Sequence, residues 1–285
     1  MWRDQLRSLS FYHFGVFDGI PVVVYDDDRW TLPVLLEAQR HQILRGSSRL
    51  LSLDYHFDAI TPRRGLGAAR TLRTNGIPWS EFVQFVDGDL SKSDDDWIVA
   101  GMELGLLQDV VVFGAQEGTR ESTPALVDGA GVAHTLLRSC SIPGPTLGHQ
   151  GELSDLADRR RYGLLWNTLG WEHTPDVGFR FTGEPRINVF HIDLDCFTIP
   201  WESYVFPWPS EVFRDKLLGE SNCAHTRGWT GKRFLREIID RAQLILIARE
   251  PNCTGGHAHS NRLLRLVNRF VFDGRIELER DGRNR

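Results

Sequence analysis

The chain has 285 residues, of which 41% are hydrophobic, and a formal net charge of −5. This apolar content is enough for one large domain with a sizeable core, or for two small domains. The weakly acidic balance argues against a nucleic-acid-binding protein. No run of about 18 or more apolar residues predicts a membrane span. The polar N-terminus does not resemble a signal peptide, so we expect a cytoplasmic protein.

Cysteine usage is sparse and points to a reducing compartment. The spacing of the four cysteines matches neither a zinc-binding pattern nor a dense disulfide framework. They are Cys140, Cys196, Cys223 and Cys253.

The first part of the chain alternates apolar runs with amphipathic ones. Thr31 is the predicted N-cap of the first long helix. Residues 59–77 contain a proline, glycines and arginines with little periodicity, so we expect a long loop there. Strands are predicted at 20–25, 49–53 and 109–113, and helices at 31–44, 79–86 and 94–105.

The second part is less regular. A hairpin is predicted around Asp128, residues 201–208 are expected to form an aromatic loop, and the charged residues 275–285 are expected to fray. Strands are predicted at 186–193 and 244–248, and helices at 210–218, 231–242 and 259–272.

Apolar strands alternating with helices predict an α/β fold, a three-layer sandwich with a mostly parallel sheet. We expect a single domain over residues 1–285 with an irregular insertion around 114–185. In open α/β sheets, sites form beyond the carboxyl ends of the strands. Four acids lie at or just past predicted strand ends: Asp28, Asp58, Asp195 and Glu250.

Two short motifs follow apolar strands and carry side chains with metal-ligand chemistry. In the first, Asp54, His56 and Asp58 alternate, and in the second Asp193 and Asp195 do. In an extended strand, alternate side chains point to one face. Either motif alone is more often turn or surface chemistry, but both at matching ends of a parallel sheet predict a metal site.

The number of acids favours two metal ions. Carboxylates crowded at one edge repel each other unless a cation compensates them or their pKa values rise. Oxygen ligands with one or two imidazoles suit Mn, Mg or Fe(II), and zinc with fewer ligands. Paired metals sit roughly 3.5–4 Å apart and share carboxylates. The candidate ligands are Asp28, Asp54, His56, Asp58, Asp193 and Asp195.

At these motifs the sequence resembles the ureohydrolase (arginase/agmatinase) superfamily, which carries Asp-x-His-x-Asp after one strand and Asp-x-Asp after a later one. It is more similar to the peptide arginase branch of that superfamily. There, an apolar strand, an acidic stretch and a Leu-Pro pair precede the first motif, as residues 22–33 do here. Residues 248–256 also resemble a late strand-end segment of the branch. Residues 114–185 do not align.

The resemblance implies an arginase/deacetylase-like α/β fold with two Mn²⁺ ions per chain. Asp54 and Asp193 would then bridge both metals, while His56 and Asp195 would complete the shell of one. Asp58 would bind the other metal and, as the catalytic residue, accept a hydrogen bond from the nucleophilic hydroxide.

The chain departs from the family at its first ligand. Asp28 occupies a position that is usually histidine. Aspartate can ligate manganese through oxygen. The alternative is a weakened metal position, which would make the protein slow, mononuclear or inactive.

The implied reaction converts arginine residues of a ribosomally synthesised precursor peptide, which carries a leader segment, to ornithine with release of urea. Glu250 is the candidate to hold the guanidinium, because a carboxylate pairs with its planar fork. An exposed loop acid is the equally weighted alternative. The aromatic residues 201–208 could line a peptide groove. Candidates for a proton shuttle are His149, His173, His225, His257 and His259.

Two other functions remain open. One is hydrolysis of another C–N bond on the same fold, in free arginine, agmatine, a formimino group or acetyl-lysine. The other is peptide binding without turnover, by a degenerate member. Neither a nucleic-acid partner nor a membrane is expected, and the oligomeric state is left open.

Overall fold

The computed structural model describes residues 2–9, 11–45, 48–62, 65–93, 95–114, 126–139, 171–174, 178–181, 187–219 and 230–279. In these ranges the strands are β1 (His13–Phe17), β2 (Ile20–Tyr25), β3 (Ser48–Leu53), β4 (Leu107–Phe113), β5 (Leu126–Val127), β6 (Ala133–Ser139), β7 (Trp171–Thr174), β8 (Gly178–Phe181), β9 (Val189–Asp193), β10 (Thr198–Trp201), β11 (Tyr204–Pro207), β12 (Leu244–Ala248) and β13 (Glu277–Leu278).

The α-helices in the same ranges are α1 (Asp4–Arg7), α2 (Thr31–Arg40), α3 (Gly65–Thr74), α4 (Trp79–Gly88), α5 (Trp97–Glu103), α6 (Ser210–Val212), α7 (Gly231–Ile239) and α8 (His257–Val271). Short 3-10 turns at Asp28–Trp30 and Leu194–Phe197 follow β2 and β9 directly. None of these helices is long and apolar enough to cross a membrane.

One nine-stranded sheet organises the molecule, in the order β13-β1-β2-β12-β9-β3-β4-β6-β5. Its six central strands are parallel to one another: β2, β12, β9, β3, β4 and β6. The remaining strands pair antiparallel at the two edges. The predicted α/β fold with a mostly parallel sheet is therefore confirmed.

Helices cover both faces of the sheet. Alternate residues of the central strands belong to two separate cores, as the two-residue period of a strand requires. On one face Phe234 of α7 and Leu263 of α8 are fully buried in the first core. On the other, Leu35, Phe82 and Trp97 of α2, α4 and α5 are fully buried in the second. The strands between them are mostly apolar because most of their side chains are buried on one face or the other.

Three local expectations were wrong. Much of the loop expected at 59–77 is helix α3, which buries Ala69 and Leu72 at a helical spacing of three. The aromatic loop expected at 201–208 is largely a hairpin, in which β10 and β11 pair antiparallel. Thr31 is not an N-cap, since α2 begins at this residue, and its hydroxyl instead contacts the Tyr25 hydroxyl.

The segment expected to be an irregular insertion contributes to the main sheet. Strand β6 pairs parallel with β4, and it forms the predicted hairpin with β5. Residues 115–125 and 140–170 lie outside the described residues. In the tail that was expected to fray, β13 pairs with β1, whereas residues 280–285 lie outside the described ones.

Candidate metal centre

The carboxyl ends of four neighbouring strands bring the predicted acids together. Asp28 follows β2, Asp54 follows β3, Asp193 ends β9, and Glu250 follows β12. These strands are adjacent in the sheet, in the order β2-β12-β9-β3. All six acids singled out from the sequence are buried, with relative exposures of 1% for Asp28, 0% for Asp54, 6% for Asp58, 2% for Asp193, 2% for Asp195 and 5% for Glu250.

Potential ligand atoms form two groups with one shared member. In each group, one atom per residue lies within 4.8 Å of the others. Asp54 belongs to both groups, so its carboxylate stands between them. The first group is Asp28, Asp54 and Asp58, and the second is Asp54, His56, Asp193 and Asp195.

The two motifs are held by the same local turn. The backbone N–H of His56 donates to Oδ1 of Asp54 at 2.7 Å, and that of Asp195 donates to Oδ1 of Asp193 at 2.9 Å. Aspartate readily accepts a hydrogen bond from the backbone two residues on. In each motif the turn therefore fixes the first carboxylate relative to the next ligand.

Several buried carboxylate oxygens at the centre, including both of Asp28, have no hydrogen-bond partner among the described residues. Oδ2 of Asp54 is one of them. A buried polar atom without a partner costs about 1–3 kcal/mol, more when it is charged. A cation bound between the two groups would satisfy this atom.

Asp58 sits on a strained loop that α5 holds in place. Its φ is +48°, a left-handed conformation that is uncommon for residues other than glycine. Its backbone oxygen accepts a hydrogen bond from the N–H of Ile98 at 3.2 Å. Its Oδ2 accepts one from the indole Nε1–H of Trp97 at 2.9 Å. Strain of this kind persists where the surrounding structure imposes it, commonly at functional sites.

His56 forms the outer edge of the second group. Its Nδ1 lies 2.8 Å from Oδ2 of Asp195, and 42% of its side chain is exposed. Because the carboxylates beneath it are buried, the imidazole lies on the side from which solvent reaches the group.

Burial makes the carboxylates reluctant to ionise. It raises the pKa values of Asp28, Asp54 and Asp193 well above the usual range, and the neighbouring acids raise them further. Burial also raises the pKa of Asp58 to about 7, although the Trp97 hydrogen bond opposes the rise. The arginines that flank the site in sequence pair elsewhere, Arg29 with Asp27 and Arg249 with Asp26.

The residues fit divalent cations. Crowded carboxylates favour their charged forms when an opposite charge lies among them. Oxygen atoms predominate in both groups and a single imidazole joins the second, a donor set that suits a hard or borderline ion. The site is therefore a candidate metal centre, with room in its ligand set for two ions that share Asp54.

Sequence reasoning missed His191. This residue lies in β9, is fully buried, and places Nε2 3.3 Å from Oδ1 of Asp28. A signal was present, because His191 and Asp193 alternate within β9 and therefore share a face of the strand. The apolar neighbours Phe190 and Ile192 made the run read only as a core strand.

Glu250 contacts the backbone of one candidate ligand. Its Oε1 accepts a hydrogen bond from the backbone N–H of Asp28 at 2.6 Å. Its φ is +41°, a second non-glycine residue of the site in the left-handed region. The alternative of an exposed loop acid is wrong, because the residue is 5% exposed.

Of the five histidines considered as proton shuttles, the structure describes the side chains of two. His257 and His259 lie in the first turn of α8. His149 and His225 lie outside the described residues, and of His173, in β7, only the backbone is described.

No family model matches the chain, and no curated protein matches its sequence at a significant level. The chemistry of the centre is therefore judged from its own residues.

Proposed function

We propose that this protein is a manganese-dependent hydrolase that converts arginine side chains within a precursor peptide to ornithine, with release of urea. The observation that carries the proposal is the shared position of Asp54 between two buried ligand groups. A carboxylate that belongs to both groups is what a pair of metal ions needs as a bridge. The two motifs that build these groups are also those by which the sequence resembles the ureohydrolases.

The metal pair would supply a nucleophilic hydroxide at neutral pH and stabilise charge that develops during attack on a planar carbon. The protein's part is to orient the reacting groups. Asp58, held by Trp97, would accept a hydrogen bond from the attacking oxygen.

Manganese is favoured over zinc by the donor set. Five aspartates and one histidine make up the two groups, and oxygen ligands suit Mn²⁺ better than they suit zinc. A single zinc held by two aspartates and one histidine would leave the remaining carboxylates without a cation.

A guanidinium substrate is favoured by Glu250. A carboxylate pairs with a guanidinium through two parallel hydrogen bonds, most strongly where water is excluded. Glu250 is buried beside Asp28 at the edge of the first ligand group. A guanidinium held by Glu250 would lie next to the metal ions.

A peptide substrate is favoured by the hairpin that follows the second motif. In β10 and β11, Ile199 pairs with Phe206 and Trp201 with Tyr204, so these four side chains share one face. The three aromatic residues are 47–65% exposed. Aromatic residues are enriched where proteins bind other chains. We refer to Ile199, Trp201, Tyr204 and Phe206 as the aromatic face.

The hairpin is joined to the centre on both sides. The hydroxyl of Thr198, at its start, donates to the backbone oxygen of Asp195 at 2.6 Å. On the other strand, Val205 packs against the loop after Glu250, since a Cβ added at Gly255 would lie 2.8 Å from the Val205 oxygen. A peptide lying on the aromatic face would thus lie alongside Asp195 and the Glu250 loop.

The direct test is to incubate the manganese-loaded protein with arginine-containing peptides and record their masses. Each converted arginine should lose ~42 Da, the CN2H2 unit that leaves as urea when water is added. The matched control is the Asp54→Asn variant, which keeps the shape of the side chain but removes the shared charge. A protein that binds no manganese, or that leaves every arginine peptide unchanged, would refute the proposal.

The runner-up is hydrolysis of another C–N bond by the same centre. Free arginine, agmatine, a formimino compound and an acetyl-lysine peptide should be assayed beside the arginine peptide. Turnover of a small substrate alone would show that the aromatic face is not used for substrate binding. Two bound manganese ions without any turnover would favour a non-catalytic, peptide-binding protein. A leader segment on the natural precursor would be detected as tighter binding of the full precursor than of its arginine-containing core.

A further inference from the structure

We propose that His191 is a positioning residue, which together with Ser52 holds the carboxylate of Asp28 in the orientation that binds metal. This inference rests on the proposed function, because it assigns Asp28 to one of two metal ions. His191 belongs to neither of the two sequence motifs. If it supports Asp28, the two ligand groups are held in place by different residues.

The geometry begins with strand register. Ser52 of β3 and His191 of β9 are direct neighbours across two parallel strands. The hydroxyl Oγ of Ser52 lies 2.7 Å from Nδ1 of His191, and both residues are completely buried. The imidazole therefore has one nitrogen engaged within the sheet and the other, Nε2, directed toward Asp28.

Nε2 of His191 lies 3.3 Å from Oδ1 of Asp28. Neither Nε2 of His191 nor Oδ1 of Asp28 has another hydrogen-bond partner in the part of the chain that the structure describes. Buried polar atoms in folded proteins are nearly always paired, so a hydrogen bond between these two atoms is the arrangement that satisfies both.

The tautomer of His191 decides which atom donates. A neutral imidazole carries one N–H, on either of its two ring nitrogens. When a metal keeps Asp28 ionised, a lone pair on Nε2 would face a negative oxygen. The favourable tautomer has the proton on Nε2, where it donates to Asp28, while the Ser52 hydroxyl donates to Nδ1.

Hydrogen bonds of this kind are expected around a metal ligand. Ligating carboxylates are themselves hydrogen-bonded, and loss of such a partner typically costs about 10–100-fold in metal affinity. A bond to Oδ1 would leave Oδ2 of Asp28 directed at the metal. The backbone of the same residue is held separately, by Oε1 of Glu250.

The side-chain contacts of His191 and Trp97 with carboxylates go to members of the first ligand group. The ring of Trp97 packs against His191 with centroids 5.5 Å apart, and its N–H donates to Asp58. His191 and Trp97 thus form one buried layer beneath Asp28 and Asp58, which both belong to the first group. In the second group, Asp195 contacts His56 instead.

Manganese titration of the full-length protein tests the inference. His191→Leu removes the donor and should weaken one of two Mn²⁺ ions by about 10–100-fold, while the other binds as before. His191→Gln retains an amide N–H that can reach Asp28 and should recover most of that affinity. With substrate, the Leu variant should lose kcat at limiting Mn²⁺, regain it at high Mn²⁺, and keep its KM.

His134→Leu is the matched control. His134 is also a buried histidine, 3% exposed, and also faces an aspartate, with Nε2 3.3 Å from Oδ2 of Asp128. It lies in β6, away from the two ligand groups, so its loss should leave both manganese affinities unchanged.

Each outcome separates the inference from the proposed function. If the natural protein binds two manganese ions and His191→Leu binds both equally well, the inference is wrong and the proposed function stands. If the natural protein binds none, both are wrong. Should His191→Leu fail to fold, Ser52→Ala replaces it: one weakened ion supports the inference, and two unchanged affinities overturn it.

Discussion

The indole N–H of Trp97 reaches from the first turn of α5 to Oδ2 of Asp58, 2.9 Å away. Asp58 lies in the loop after the central strand β3. The hydrogen bond therefore connects a helix that flanks the sheet to the loop that carries this candidate ligand. This hydrogen bond lowers the pKa of the Asp58 carboxyl, against the rise that burial causes. Trp97 thus keeps Asp58 closer to its ionised form.

Replacement of Trp97 by phenylalanine tests this relationship. Without the indole N–H the pKa of Asp58 should rise further, so the pH at which activity reaches half its maximum should move upward. Manganese affinity of the first group should fall by about 10-fold, which is the effect typical of a lost hydrogen bond to a ligand. A pH–rate profile and a manganese titration would measure the two effects.

Trp208→Phe controls for the loss of a buried indole. Trp208 is fully buried, and its Nε1–H donates to the backbone oxygen of Thr198 at 3.1 Å rather than to a carboxylate. Both variants should lose stability on the order of 1–3 kcal/mol through the smaller ring and the missing hydrogen bond. Equal shifts of the pH profile in both variants would mean that Trp97 acts only through packing.

Neutralising Asp54, which both ligand groups share, or Asp193 of the second group should abolish activity. Asp54→Asn or Asp193→Asn removes a charge on which bound metal depends, and manganese content should fall below two ions per chain. Elemental analysis would measure the loss of manganese, and the peptide mass assay would measure the loss of activity. Full activity in the Asp54 variant would eliminate the bridging role of this carboxylate.

The metal-free protein should become less stable as pH rises. An aspartate in the unfolded chain has a pKa near 3.8, whereas that of folded Asp58 is about 7. Between these values the unfolded state binds fewer protons, so the free energy of unfolding falls as pH increases. Asp28, Asp54 and Asp193 shift in the same direction. Melting temperatures after chelation should therefore be higher at pH 5 than at pH 8.

Replacing one buried carboxylate by its amide shows how much the candidate metal centre contributes to the loss of stability with rising pH. Asp58→Asn should narrow the difference in melting temperature between pH 5 and pH 8. Asp240→Asn, at an exposed position that follows α7, should leave the difference unchanged. An equal effect of both substitutions would place the origin of the trend outside the metal centre.

Manganese should bind more tightly at higher pH. The carboxylates must lose their protons before they can ligate, and metal binding releases those protons. Since the pKa of Asp58 is about 7 and those of Asp28, Asp54 and Asp193 are also raised, affinity should climb between pH 5 and pH 8. Calorimetric titration in buffers of different ionisation enthalpy would count the released protons, and a flat affinity over this range would contradict the ionisation assigned to Asp58.

Substitutions on the aromatic face should affect peptides only. Trp201→Ala together with Tyr204→Ala should raise KM for an arginine peptide several-fold, while manganese binding stays unchanged. Val127→Ala is a suitable control because Val127 is 63% exposed on β5. An unchanged KM in the double variant would show that the peptide lies elsewhere.

The sequence predicted the central sheet well because its signals are local. Residues 20–25 and 244–248 are uninterrupted apolar runs, and each forms the expected strand. The same logic located the acids, since strand ends are where side chains of a parallel sheet converge. The order of the strands in the sheet could not be predicted from the sequence, because the pairing of β12 with β2 joins residues that are far apart in the chain.

The misses have physical causes too. Helix α3 carries four glycines or threonines in ten residues, which weakens its helical pattern, and its buried side is defined by packing on α5. The hairpin after Asp195 contains prolines, which argued for a loop, yet Pro200 and Pro207 sit on an isolated two-stranded ribbon where a missing donor is tolerated. His191 was missed because its apolar neighbours Phe190 and Ile192 predict a core strand, which outweighed its alternation with Asp193.

The strand order β2-β12-β9-β3 interleaves the beginning of the chain with its last third. Asp28 and Asp54 leave the ribosome long before Asp193 and Glu250 do. Without β12, β2 loses its neighbour on that side and Asp28 its hydrogen bond to Glu250. The nascent chain therefore carries four of the six candidate ligands well before the two of the second motif, and the candidate centre is complete only after β12 has joined the sheet.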